Sequence, residues 1–100
     1  MTLELRVRPD AEDDLEEAAA WYEQQRSGLG DEFLDEVRST FRQISERPSM
    51  FPVLHRNTRR ALTHRFPFGV FYRVQPEHVV VVAVMHGSRD PHRWKQRTAP

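Results

Sequence analysis

Cysteine is absent from this 100-residue chain, and acidic residues nearly vanish from its second half. Without cysteine there is neither a disulfide framework nor a thiolate metal site, and a reducing compartment is expected. Long apolar runs are missing too. The longest, Val79 to Met85, has seven residues, against the roughly 20 that a membrane-spanning helix needs. The opening MTLELRV has no basic segment leading into an apolar one, so no secretory signal is expected. Lysine occurs once, at Lys95, and there is no glycine-rich phosphate loop, serine elbow or cysteine nucleophile. These absences point to one soluble cytoplasmic domain with no membrane partner and no cofactor.

What is present is divided unevenly. The formal net charge is zero, yet residues 1–50 hold 13 acids and 6 basic residues, a balance of −7. Residues 51–100 hold 2 acids and 9 basic residues, a balance of +7, together with all five histidines. Such asymmetry arises either from a basic surface kept for an acidic or nucleic-acid partner, or from two oppositely charged layers attracting each other within one fold.

Periodicity supplies the elements. LELRV alternates apolar and charged residues, which predicts a half-buried strand over 3–8. Pro9 and the acids Asp10, Glu12, Asp13 and Asp14 suit a helix start, where the missing N–H is harmless and the dipole end is positive. Ala11, Leu15, Ala18 and Tyr22 make one apolar stripe of a helix over 9–26, with Trp21 off it. A second helix over 31–47 carries Leu34, Val37, Phe41 and Ile44 and stops at Pro48. The short glycine-containing link between them predicts an antiparallel helical hairpin. Residues 48–57 read as a loop, then strands follow over 59–65, 68–75 and 78–86, with Pro76 in the last turn. The fold expected is α+β, ordered β-α-α-β-β-β, with a mainly antiparallel four-stranded sheet and a tail over 87–100. Strands 68–74 and 79–85 are too apolar for a solvated sheet. One face takes the hairpin; the other needs the C-terminal segment, a second subunit or a foreign peptide.

The densest polar stretch is HGSRDPHRW, residues 86–94. His86, Asp90 and His92 have the wrong spacing for a helical zinc motif and a proline between them, so no metal is expected. The segment reads as a strand exit and a turn that carries part of a macromolecular contact surface. Trp94 has two uses, as a ring packed on the uncovered sheet face or as an interface anchor. Tyr72 shares a strand face with Val70 and Val74 and is expected in the core.

Taken in order, the pieces resemble the RelE/ParE superfamily of bacterial type II toxin–antitoxin systems, its ParE-like branch in particular. They are Ala11-x3-Leu15 with AAAWYE (18–23), SGLGDEFLDEV (27–37), ISERPSMFP (44–52), RRALTHRFPFGVFYRV (59–74) and VVAVMHGSRDPHRW (81–94). The resemblance implies a small toxin, often tied to plasmid stabilization, that inhibits growth until a cognate antitoxin neutralises it. ParE-like toxins bind and poison DNA gyrase; RelE-like relatives cut mRNA on the ribosome. In those nucleases an arginine usually stands three residues before the strand tyrosine, where this chain has Gly69, and lysine and arginine cover the concave face. The expectation is therefore a gyrase-binding toxin with contacts to target or antitoxin at Arg60, Arg65, Arg89 and Trp94. The alternative is an endoribonuclease using His86, Arg65 and Arg60, since RNA cleavage needs a proton acceptor, a proton donor and a cation for the developing charge. A third reading is an inactive module that only binds its antitoxin. A homodimer or a toxin–antitoxin hetero-oligomer is compatible with each.

Overall fold

The computed structural model describes residues 2–87 and 91–98. In chain order the elements are β1 (Glu4–Val7), α1 (Pro9–Gln25), α2 (Leu29–Glu46), β2 (Val53–His55), β3 (Thr58–Leu62), β4 (Phe68–Val74), β5 (His78–His86) and α3 (Pro91–Gln96). The α+β class is as expected, but the sheet has five strands, in the order β1-β5-β4-β3-β2. Only the β1–β5 pair is parallel.

The extra strand lies in the segment read as a loop. Arg56 and Asn57 have φ of 45° and 64°, so they form a two-residue hairpin connection of the kind that needs left-handed backbone at both positions. Arg-Asn lacks the glycine that usually announces such a turn. The strand expected over 59–65 ends at Leu62 instead. There Thr63 turns the chain, its hydroxyl bonding the Phe66 carbonyl and its N–H the Phe68 carbonyl at 3.0 Å. The tail expected over 87–100 contains α3.

The helical hairpin covers the inner face of the sheet. Ala11, Leu15, Ala18 and Tyr22 of α1 meet Phe33, Val37 and Ile44 of α2 over Val70, Tyr72, Val79, Val81 and Val84. Burial on α2 centres on Phe33, Val37, Thr40 and Ile44, so the stripe is rotated slightly from Leu34 and Phe41, which are only half-buried. Gly30 permits the close start of α2: a Cβ there would stand 2.7 Å from the Ala19 carbonyl oxygen. The Glu23 carboxylate accepts the N–H groups of Gly28 at 2.8 Å and Gly30 at 3.0 Å. That serves the cap which no side chain of the preceding link provides.

The outer face has its own smaller core of Phe71, Val82, Ala83, Met85 and Trp94. Trp94 stacks on Phe71 with centroids 4.5 Å apart and planes 20° from parallel. Of the three covers considered for this face, the C-terminal segment supplies one, through α3.

Candidate functional site

β1 is short, and the free length of β5 beyond it creates the site. Pairing with β1 stops at Val7 opposite Val81, while β5 continues to His86. Two side chains from distant parts of the chain take the place of a neighbouring strand. Asp14 of α1 accepts the Val84 N–H at 3.0 Å, and Arg97 donates to the Val82 carbonyl at 3.2 Å. The two also pair with each other at 2.6 Å. Arg97 is held more firmly protonated than an ordinary arginine, first by its bond to Asp14.

Above this clamp a cleft of about 550 Å³ opens between α1, the end of β5 and α3. Its apolar wall is Ala18, Trp21, Tyr22, Phe68 and Val84, and its polar rim includes Glu17, His86 and Arg93. Trp21 is 56% exposed and meets Tyr22 edge-on at 5.1 Å. A partly apolar concavity with a few convergent polar groups is the usual form of a binding site. From the sequence Trp21 has an interaction reading too, ranked below a core one because a single aromatic per helical face is usually core; its place off the apolar stripe is the signal that favours the first.

A one-residue bulge decides which way His86 points. Phe71 pairs with Ala83 and Tyr72 with Val81, leaving Val82 unopposed. Such an insertion shifts every later side chain by one face. Val79 and Val81 are inward, Val82 and Ala83 both outward, and Val84 inward again. His86 thus joins the helix side, against Phe68 at 5.5 Å.

Arg60 goes the other way. It pairs across β3–β4 with outward-facing Phe71, so Arg60 and His86 lie on opposite faces of the sheet. Arg65 is in a third place, on the turn after β3, bonded to Glu32 of α2 at 2.5 Å and set over the Phe66 ring. The three residues considered for RNA cleavage are not brought together. Trp94 is buried beneath its own helix, 8% exposed. Arg89 and Asp90 lie outside the described residues. Tyr72 is in the core as expected, its hydroxyl donating to the Pro48 carbonyl at 2.7 Å, and burial pushes its ionisation up to about 12. Among the described residues no three His, Asp or Glu side chains form a group able to hold a metal ion.

The charge asymmetry resolves into two parts. Cross-layer attraction accounts for Arg65, paired with Glu32, and Arg97, paired with Asp10 and Asp14. Glu36 adds two bonds from the backbone N–H groups of Arg65 and Phe66, at 2.7 and 3.0 Å. Glu32 is held below the ordinary carboxylate range by its bonds to Arg65 and then Arg26. Arg60 and Arg73 take no part in this attraction, because they face away from the helices.

The chain matches the family described as ParE toxin of type II toxin-antitoxin system, parDE, over residues 5–91, and it belongs to that family. It is 33% identical over 96 residues to Toxin ParE2 of Mycobacterium tuberculosis, in both the CDC 1551 / Oshkosh and H37Rv strains. That alignment covers 92% of this chain and 89% of the relative. Its fold is like that of a chain from the chromosomal ParDE TA system of P. aeruginosa, with a TM-score of 0.76 and 13% identity over 85% of this chain and 96% of the other. No helix among the described residues is long and apolar enough to cross a membrane.

Proposed function

We propose that this ParE-family toxin acts in the cytoplasm by binding DNA gyrase and poisoning it, and that a cognate antitoxin neutralises it. The observation that supports binding over hydrolysis is the separation of the three residues a nuclease would need together. Arg60 and His86 lie on opposite faces of the sheet, and Arg65 is held by Glu32 on α2. A nuclease site must hold base, acid and cation around one phosphate, within hydrogen-bond reach of the reacting atoms. Gly69, where the nuclease relatives carry arginine, agrees with this reading.

The cleft beside Trp21 is the seat we assign to the antitoxin. It offers an amphipathic partner helix an apolar wall and a polar rim, a common mode of peptide capture. Of the contact residues named from the sequence that lie among the described residues, Arg60 is the one whose placement favours contact with a partner. Arg65 is partnered within the fold, and Trp94 is covered.

The test is pulse incorporation of labelled thymidine and labelled methionine within minutes of induced expression. Thymidine incorporation is expected to fall first, and purified gyrase should then accumulate cleaved DNA in the toxin's presence. An earlier fall in methionine incorporation would replace this reading with the mRNA interferase.

A further inference from the structure

We propose that the outer face of the sheet, at β3 and β4, docks an acidic protein segment whose carboxylates pair with Arg60 and Arg73. This rests on the reading of Arg60 as a contact residue and adds the chemistry of what it contacts.

Arg60 is half-buried, and among the described residues its guanidinium has neither a hydrogen bond nor an ion pair. Its position is nonetheless fixed. The stem lies over Gly69, where a built Cβ would stand 3.1 Å from Arg60 Cδ, 3.2 Å from its Cγ and 3.2 Å from Phe71 Cε1. The missing side chain at Gly69 is a slot that the arginine fills. An unpaired cation held in place is pre-organised for a carboxylate, because less side-chain freedom is lost when the pair forms.

Arg73 lies two residues beyond Phe71 on the same face, directly opposite Thr58. Its Nε is buried without a partner, and so is the Thr58 hydroxyl oxygen beside it, in a residue with 0% exposure. Buried polar atoms are ordinarily satisfied. Arg73 as a whole is only half-buried, so it adds a second cation to this face beside Arg60.

The elements that form this face, β2 to β5 and α3, contain no acidic residue. The acids from Asp10 to Glu46 are carried by the two helices, on the other side of the sheet. Glu4 is on β1, at the far edge, and is paired with Arg6 at 3.1 Å. Leu62, on the same face as Arg60 and 58% exposed, gives an acidic segment an apolar neighbour as well.

Protein fits better than nucleic acid. Single strands bind through basic grooves and aromatic platforms on which bases stack. Here Phe71 and Trp94 are stacked on each other and buried.

The experiment follows the side-chain Nε–Hε resonances of Arg60 and Arg73 in the full chain, titrated at low salt with hexaglutamate, hexaglutamine or decathymidylate. Hexaglutamate is expected to move both resonances saturably, hexaglutamine to move neither, and decathymidylate to bind more weakly. Arg60→Gln and Arg73→Gln should each weaken hexaglutamate binding roughly 10- to 100-fold, the usual weight of a charge-assisted bond. Arg73→Lys, which keeps the charge and the stem, serves if Arg73→Gln fails to fold, and should retain part of the affinity. Absence of saturable shifts, an equal response to hexaglutamine, or unchanged affinity in the variants overturns the proposal, as does tighter binding of decathymidylate. Thymidine incorporation is an independent readout, so a failure here leaves the gyrase reading to its own test.

Discussion

Asp14 and Arg97, 83 residues apart in the chain, meet at 2.6 Å and together complete the free edge of β5. One accepts the Val84 N–H and the other donates to the Val82 carbonyl. An unpaired sheet edge is a liability, since it invites pairing with other chains. Here an ion pair blunts it and ties α1, β5 and the segment after α3 together. Both side chains are largely buried, at 14% and 21% exposure. Asp14→Ala leaves the Val84 N–H without its acceptor and Arg97 with only the longer contact to Asp10, and Arg97→Ala leaves the Val82 carbonyl without its donor and Asp14 without its cation. Each should lower stability by about 2–3 kcal/mol, the scale of hydrogen bonds to charged groups. The double variant should lose less than the sum of the two, because neither charge is then stranded. Urea denaturation of the four proteins measures this, and strict additivity would show that the clamp does not act as a unit.

Trp21→Ala separates binding from folding. The ring is more than half exposed, so unfolding free energy should change by no more than about 0.5 kcal/mol. If the antitoxin lies in the cleft, its affinity should fall roughly 30-fold, as when an aromatic anchor of about 2 kcal/mol is truncated. In cells the variant toxin should escape neutralisation at antitoxin levels that silence the parent. Unchanged affinity by calorimetry would move the antitoxin elsewhere.

Tyr72→Phe tests a buried hydroxyl. At pH 7 the loss of its bond to the Pro48 carbonyl should cost about 1 kcal/mol. The alkaline limb gives a second readout. Burial raises the folded ionisation from 10.0 to about 12, so the unfolded chain loses its proton first. The stability this side chain contributes is therefore present below pH 10 and is lost as pH rises towards about 12. Removing the phenol should flatten that fall, and an identical slope in the variant would contradict the assignment.

Glu23 gives the acid counterpart. Its bonds from the Gly28 and then the Gly30 N–H hold the carboxyl below its ordinary value of 4.5. A folded ionisation lowered in this way contributes stability above pH 4.5 that disappears as pH falls through the folded value. Glu23→Gln should make the midpoint of urea unfolding less sensitive to pH below 4.5, with a modest loss at pH 7. Circular dichroism at 222 nm across that range reads it directly, since the link between α1 and α2 is what loosens.

Much of this molecule was legible because its elements are written in local period. Ala11, Leu15, Ala18 and Tyr22 repeat at helical spacing and pack as that spacing requires. Phe68, Val70 and Tyr72 alternate and are buried together on the inner face. Acids placed early in both helices follow the dipole whatever the fold around them. The family was legible too, since it rests on the order and spacing of such pieces along the chain.

Tertiary structure decided what depends on contacts between distant segments. β1 joins β5 in parallel across more than 70 residues, a pairing that no local pattern encodes. β2 exists because Arg56 and Asn57 accept a left-handed turn that lets β3 pair with Val53. The bulge at Val82 reverses the face of every side chain after it, and so divides Arg60 from His86. Trp94 met Phe71 instead of a partner because α3 folds back over the outer face. A sequence fixes which residues prefer a helix, a strand or an apolar environment. Which of them share a face, and which charges are left without a partner, depends on a register set by the packing of the whole chain.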